Sequence, residues 1–287
     1  MDARTFLGLE PTDDPRHWRL PVVPGITAGG NFLWGGCGLA AGIVTMEEVT
    51  GRPIVWSTAQ YLSYARPGSV VDVEVTVAVD GRNTAQARAV GRVGDEEILT
   101  VNGALGSRPV DASGVWGAMP EVPPPEQCPI RTHRFPNESI GDRIEQRLAI
   151  GVEMEALDGE PTDGRCALWA RMPEVLDMSG AALAVLGDFV PWGIGQALGL
   201  RAGGNSLDNT LRVIQTRPAD WVLLDIAVHG VADGYGHGRL NLWTPQGDLL
   251  AVASQSVVVR RWDDPPPSHQ PRPTEEEHTD VEEQHDD

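Results

Sequence analysis

The sequence contains no lysine: its 22 basic residues are all arginine, against 41 aspartates and glutamates, for a formal net charge of −19 at pH 7. Ten of the acids and one arginine lie in residues 263–287, so the rest of the chain is only moderately acidic. Nucleic acids and anionic membrane surfaces select a basic face, because their phosphates must be neutralised. We therefore expect neither as a partner, although a local arginine pocket stays open.

Cysteine is scarce as well. Cys37, Cys128 and Cys166 form an odd set without metal-ligand spacing, and the chain does not open on a charged-then-apolar signal segment. We expect a cytoplasmic protein without a bound metal, and we interpret Cys37 as a buried packing residue rather than a nucleophile. No apolar run reaches the roughly 20 residues of a membrane span, so no membrane association is expected.

The sequence also lacks the common nucleotide and nucleophile motifs. It has no phosphate-binding loop of the Walker type, no dinucleotide fingerprint and no G-x-S-x-G elbow. The glycine-rich stretch 29–38, GGNFLWGGCG, has neither the lysine nor the spacing of those motifs. The commonest kinase, dehydrogenase and hydrolase classes are thereby disfavoured, and no organic cofactor is expected.

Apolar and alternating segments recur in the same order twice. Residues 30–50 predict a buried helix, and 54–106 alternate as an antiparallel meander with turns at Asp80-Gly81 and Gly94-Asp95. A second apolar helix, with a break near Pro191, is followed by further strands. We divide the chain into a first unit, a proline-rich linker, a second unit and a disordered acidic tail: 15–106, 107–135, 136–262 and 263–287.

A direct overlay supports duplication. Segment 56–75, WSTAQYLSYARPGSVVDVEV, matches LDNTLRVIQTRPADWVLLDI at 207–226 around a shared Arg-Pro. In this overlay Ser57 takes the place of Asp208, and Asn102 that of Gln255. We interpret the chain as two copies that pack as a pseudo-dimer, with one reactive site because the first copy lacks the carboxylate.

Asp208 and Gln255 are the candidate reactive residues, because each interrupts an otherwise apolar strand. A buried carboxylate is costly unless it is paired or hydrogen-bonded, so Asp208 requires a partner. One interpretation is a general base with an amide that orients water. The other is an exposed strand-start residue beside an outward-facing amide, and the residue types leave both open.

The segments SLDNTLRV (206–213) and LLAVASQSVVVR (249–260), preceded by an apolar helix, resemble the second half of the bacterial acyl-CoA thioesterase II family. The resemblance extends over about residues 15–262. It implies an α+β fold of two hotdog units, each a long helix wrapped by an antiparallel sheet, fused as a pseudo-dimer. It also implies hydrolysis of acyl-CoA in fatty acid metabolism, and homo-oligomers are common among such proteins.

By this resemblance Asp208 is the base and Gln255 orients the attacking water. The family's third group is a Ser or Thr hydroxyl, but residues 227–238 contain neither, and Val231 stands near the expected place. His229 is a candidate substitute, although a histidine in a glycine-rich strand turn is commonly structural.

The resemblance also points to backbone and lining residues. We expect oxyanion donors at the glycine-rich start of the first helix, Gly35, Gly36 and Cys37, although glycine there also serves close packing. Candidate liners of an acyl tunnel, which could equally be core residues, are Trp34, Phe189, Trp192 and Leu198.

The predicted function is hydrolysis of an acyl-CoA or related acyl thioester. The alternative is a hotdog protein that binds an acyl thioester or small ligand without turnover, which the missing hydroxyl favours. A hotdog dehydratase would need a histidine on a central helix, and neither predicted helix contains one.

Overall fold

The computed structural model describes residues 1–29, 31–131, 137–175 and 177–262. The predicted disordered tail, 263–287, and the end of the predicted linker, 132–136, lie outside the described residues.

The described part of the chain contains four α-helices and fifteen strands. The helices are α1 (Ala3–Leu7), α2 (Gly35–Thr50), α3 (Gly180–Leu186) and α4 (Val190–Leu198). The strands of the first half are β1 (Glu10–Pro11), β2 (His17–Pro21), β3 (Thr27–Ala28), β4 (Phe32–Leu33), β5 (Ile54–Tyr61), β6 (Val70–Asp80), β7 (Thr84–Val93) and β8 (Glu96–Gly106). Those of the second half are β9 (Glu145–Ile150), β10 (Arg165–Arg171), β11 (Ala202–Ser206), β12 (Asp208–Val213), β13 (Val222–Ala232), β14 (Tyr235–Trp243) and β15 (Leu249–Arg261).

The helix predicted over residues 30–50 is confirmed as α2, which begins at Gly35. It ends where predicted: Gly51 adopts φ 65°, a left-handed conformation that favours glycine, and its N–H caps the Glu47 carbonyl. Most of α2 is buried, because it packs along the face of β6, β7 and β8.

The antiparallel meander is confirmed too. Short connections join β6 to β7 and β7 to β8 at the two predicted turns. From one edge to the other the neighbouring strands of the sheet are β1-β2-β6-β7-β8-β5-β12-β15-β14-β13-β10-β9, and β11 pairs with β15 off this path.

The two halves share one sheet, and the seam is the antiparallel pair β5 and β12. Thr58 lies opposite Thr210, and their hydroxyl oxygens are 2.7 Å apart. Outward from this seam the first half places β5, β8, β7 and β6, and the second places β12, β15, β14 and β13. The same strand order therefore repeats on both sides.

The second apolar helix is interrupted near Pro191, as predicted. α3 ends at Leu186, and α4 starts at Val190 with Pro191 in its first turn, where proline is tolerated. We expected no apolar run long enough for a membrane span. This expectation is wrong by length and composition, since the 19 residues of Gly180–Leu198 are long and apolar enough to cross a membrane. However, 78% of that stretch is buried inside the protein, where it packs on the sheet.

The predicted linker does more than connect the halves. Its described part packs on the outer face of the second half, where Cys128 is buried in a small cluster with Trp169 and Trp243. The Trp169 indole donates to the Pro123 carbonyl at 2.9 Å. The later part of the linker, residues 119–128, is thus anchored along this face.

Candidate active site

A single carboxylate lies in the break between α3 and α4. Asp188 is 3% exposed, and its Oδ2 accepts a hydrogen bond of 2.7 Å from the Gly36 N–H in the first turn of α2. This turn approaches α3 closely, because a Cβ on Gly36 would come within 2.7 Å of the Ala184 carbonyl oxygen. Glycine at this position therefore allows a backbone N–H of the first half to donate a hydrogen bond directly to a carboxylate of the second half.

Gln255 on β15 holds the other side of this carboxylate. Its Nε2 donates to Asp188 Oδ1 and to Ser206 Oγ, the latter at 2.8 Å. Its Oε1 accepts from the Val190 N–H at 3.1 Å, which fixes which end of the amide faces Asp188. The Gln255 side chain, only 2% exposed, is therefore oriented from two directions.

The environment raises the pKa of Asp188 from its usual 3.8 to about 7. Burial is the largest cause, because it disfavours the charged carboxylate. The hydrogen bonds from Gly36, Gln255 and Ser206 act in the opposite direction without cancelling it. A carboxyl group that titrates near neutral pH can both accept and return a proton.

Two cavities meet at Asp188. The larger, of about 340 Å³, lies between residues 28–29 and 31–34 of the first half on one side and the second half on the other. The smaller, of about 110 Å³, lies beside the start of α2 and the ends of β5 and β8. Asp188, Trp34 and Asn205 line both cavities, so the carboxylate is approached from two sides.

Asp208, the predicted base, lines neither cavity, although it lies close enough to Tyr61, in the wall of the smaller one, for its charge to add to burial in raising the pKa of that hydroxyl. The strand register shifts here: Ser206 lies opposite Val257, but Thr210 lies opposite Ser254. Asp208 Oδ1 accepts the Ser256 N–H at 2.7 Å within this irregular stretch. The structure thus pairs Gln255 with Asp188, where we expected Asp208.

The suggested substitute, His229, does not reach the site. The pairing of β13 with β14 skips it, since Val228 lies opposite Gly238 and Gly230 opposite His237. As the extra residue of this bulge, His229 points to solvent. This candidate is therefore corrected: Val231, near the expected hydroxyl position, packs on the core, and His229 contributes nothing there.

The three expected oxyanion donors behave differently. The Gly36 N–H is directed at Asp188, whereas the Cys37 N–H donates to the Trp34 carbonyl at 3.0 Å. The Gly35 carbonyl accepts the Tyr61 hydroxyl at 2.8 Å. Cys37 is fully buried, and burial raises the pKa of its thiol, which supports its interpretation as a packing residue.

Three of the four expected tunnel residues line the larger cavity: Trp34, Phe189 and Trp192. The rings of Trp34 and Phe189 meet edge to face, with centroids 5.6 Å apart. Leu198 lines neither cavity and packs against the core, so its assignment is corrected.

Sequence reasoning missed Asp188 and Ser206. Asp188 was readable as the one charged residue inside the apolar stretch Gly180–Leu198, where a carboxylate needs a partner. Its partners come from distant segments, so the pattern of that stretch could not identify them. Ser206 gave no separate signal, because its role depends on the register of β11 against Gln255.

Comparisons with known proteins agree with this architecture. Residues 120–259 match the model of the acyl-CoA thioesterase C-terminal domain. A solved structure from Novosphingobium aromaticivorans, assigned as a thioesterase, is 32% identical, with 87% of this chain and 97% of that chain covered and a TM-score of 0.78. No curated protein matches the chain.

More distant structures show the fold. A hot dog fold protein of unknown function from Alicyclobacillus acidocaldarius is 21% identical, with 90% and 97% covered and a TM-score of 0.77. The acyl-CoA thioesterase II of Mycobacterium marinum is 19% identical, with 90% and 98% covered and a TM-score of 0.71. Together with the 32% identity over nearly all of the first structure, the domain match shows that the chain belongs to the acyl-CoA thioesterase family and is a thioesterase of the hotdog fold.

Proposed function

We propose that the protein hydrolyses acyl-CoA by direct attack of a water molecule that a carboxylate and Gln255 activate. The observation that carries the proposal is the placement of Asp188, which lies at the junction of two cavities with a pKa near neutrality. Asp188 replaces Asp208 as the proposed base, because it is the carboxylate that contacts Gln255 and lines both cavities.

In the proposed reaction ionised Asp188 accepts a proton as the water oxygen bonds to the thioester carbonyl carbon. The Gly36 N–H already donates to Asp188, so the N-terminal end of α2 as a whole is the proposed source of positive potential for the oxygen that becomes negative. The carbon–sulfur bond then breaks, and protonated Asp188 returns the proton to the departing thiolate. The products are a free acid and a thiol, and the steps require neither metal nor organic cofactor.

Asp208 takes a positioning role in this scheme. Its carboxylate accepts the Ser256 N–H, and Ser256 directly follows Gln255 on β15. The contact thereby holds the irregular stretch of strand that presents Gln255. Because Asp208 lines neither cavity, its loss is expected to affect turnover less than the loss of Asp188.

Paired variants test the assignment. The purified protein is expected to release thiol from acyl-CoA in a thiol-trapping assay, with little background from its three buried cysteines. Asp188→Asn should lower kcat/KM at least about 100-fold, the scale of a lost general base, and Asp208→Asn less than about tenfold. The reverse order would assign the base to Asp208, and no release from any chain length would favour ligand binding without turnover.

The two halves are, in this proposal, fused copies of one hotdog unit, with boundaries near 15–106 and 136–262 joined by segment 107–135. The repeated strand order on either side of the β5–β12 seam supports this. One reactive site per chain follows, because the residues around Asp188 include a donor from each half.

The expected setting is fatty acid metabolism in the cytoplasm. An acyl-CoA substrate follows from the family, and its acyl group supplies the link to fatty acids. Neither a membrane nor a nucleic acid is a proposed partner. Assembly into a homo-oligomer is also expected from the family resemblance, and sedimentation would measure it.

A further inference from the structure

A thioester with its carbonyl at Asp188 extends from that carbon in two directions. We call these two parts the acyl arm, which is the acyl group, and the CoA or carrier arm, which is the thiol carrier. Since Asp188 lies in the wall of both cavities, each cavity can take one arm. The chemistry of the two linings decides which arm enters which cavity.

The larger cavity carries the positive charge. Arg131 and Arg260 line it, and the Arg131 guanidinium lies 5.2 Å from the ring centroid of Trp192. Trp262, 45% exposed, lines the same cavity, and its backbone N–H donates to the carbonyl of Arg201, itself an exposed residue. Arg131 is half-buried, whereas Arg260 is exposed and lines the cavity together with Trp262. An exposed arginine with an indole in the same wall suits phosphates and a planar base.

The smaller cavity lacks such charge. Among the residues that the structure describes, those that line it include no arginine or histidine, and Asp188 is their only carboxyl group. Ser63, another lining residue, donates to Glu96 at 2.5 Å, which puts negative charge beside this cavity. Phe32 and Leu99 make much of the remaining wall apolar. A polyanionic carrier is disfavoured here, whereas an uncharged acyl group fits.

We propose that the CoA arm occupies the larger cavity with its phosphates toward Arg260, and that the acyl arm occupies the smaller one. In this placement Phe189 and Trp192, which we expected in an acyl tunnel, line the carrier side instead. The inference rests on the proposed hydrolytic function and names its substrate class: a short-chain acyl-CoA. The size of the smaller cavity sets the chain length. At about 110 Å³ it is smaller than the roughly 150 Å³ apolar cavity that accommodates benzene, so it holds roughly four to five carbon atoms.

Two substitutions should move the chain-length profile in opposite directions. A Cβ on Gly38 would lie 3.1 Å from Leu99 Cδ2 at the cavity wall. Gly38→Ala should therefore favour acetyl over butyryl, while Gly to Ala inside α2 supports folding. Leu99→Ala removes three carbon atoms and should extend the preferred chain by about that number. Met154→Ala, in the wall of the larger cavity, is the matched control and should leave the profile unchanged.

The carrier arm has a separate readout. Arg260→Gln should raise KM for butyryl-CoA about fivefold, the size of one exposed ion pair, and leave KM unchanged for the N-acetylcysteamine thioester, which has no phosphates. Arg239→Gln, an exposed arginine that lines neither cavity, is the control.

The expected wild-type profile of kcat/KM peaks at butyryl- or pentanoyl-CoA and falls toward longer chains. Hydrolysis with equal or greater efficiency at dodecanoyl-CoA would overturn the short-chain assignment while the proposed function stands. An equal effect of Arg260→Gln on both carriers would overturn the placement of CoA. Absence of thiol release from every thioester would instead refute the proposed function.

Discussion

Replacing Asp188 by Asn tests catalysis and stability with the same variant. The pKa of this carboxyl rises from 3.8 to about 7 on folding, which corresponds to about 4 kcal/mol. Between these two pH values the unfolded chain has lost the proton and the folded protein retains it, so wild-type stability falls as pH rises. Below about pH 4 and above about pH 7 this contribution is constant.

The assay compares urea unfolding of the wild type and Asp188→Asn from pH 4 to 8. The wild type minus variant difference in the free energy of unfolding should decrease by up to about 4 kcal/mol between pH 4 and 7. In the variant, the NH₂ group of the introduced Asn would face either the Gly36 N–H or the Gln255 amide, which are both donors. This mismatch costs about 1–3 kcal/mol at every pH. The informative quantity is therefore the change of the stability difference with pH. Asp233→Asn, at an exposed turn position with φ 52° that Asn tolerates, is the control.

Activity gives the second measurement. Wild-type kcat/KM should rise with pH to a plateau with an apparent pKa of about 7, because the ionised form of Asp188 is the base. Asp188→Asn should lose this titration together with at least about 100-fold in rate. A pH-independent difference in stability, combined with an unchanged pH–rate profile, would refute the reasoning.

Three further outcomes follow from the same contacts. Gly36→Ala should lower both the melting temperature and the rate, because its Cβ would lie 2.7 Å from the Ala184 carbonyl oxygen and separate the donor from its carboxylate; an unchanged melting temperature would argue against this close approach. Asp208→Asn should cost about 1 kcal/mol in denaturant unfolding through its weakened bond to the Ser256 N–H, and no loss would remove its positioning role. Cys37 should resist iodoacetamide in the native protein because its thiol is buried and its pKa is raised, so rapid labelling detected by mass spectrometry would contradict the packing.

Much of the fold was predictable because its signals are local. Alternating strands around Asp80-Gly81 and Gly94-Asp95 set the hairpins, and the apolar stretch before Gly51 set α2. The internal repeat also anticipated the shared order of strands. The helix break near Pro191 was predictable too, although only the structure shows that this proline lies in the first turn of the following helix.

The site was only partly predictable, because its bonds join segments far apart in the chain. Gln255 was singled out correctly as a buried amide, but its partner depends on which carboxylate the fold brings to it. Asp208 was selected because it interrupts an apolar strand, but the structure places its carboxylate against the Ser256 N–H, at a register shift that the sequence does not reveal. His229 failed for a similar reason, since a bulge in one strand decides which way that side chain points.

The seam between β5 and β12 has a consequence for the integrity of the molecule. Backbone hydrogen bonds across the seam and the Gly36–Asp188 bond hold the halves together without relying on covalent continuity through 107–131. A protease that nicked this segment would therefore leave two fragments that co-elute in gel filtration as one particle. Such a nicked particle should retain turnover, whereas either fragment expressed alone would expose a long unpaired strand and aggregate.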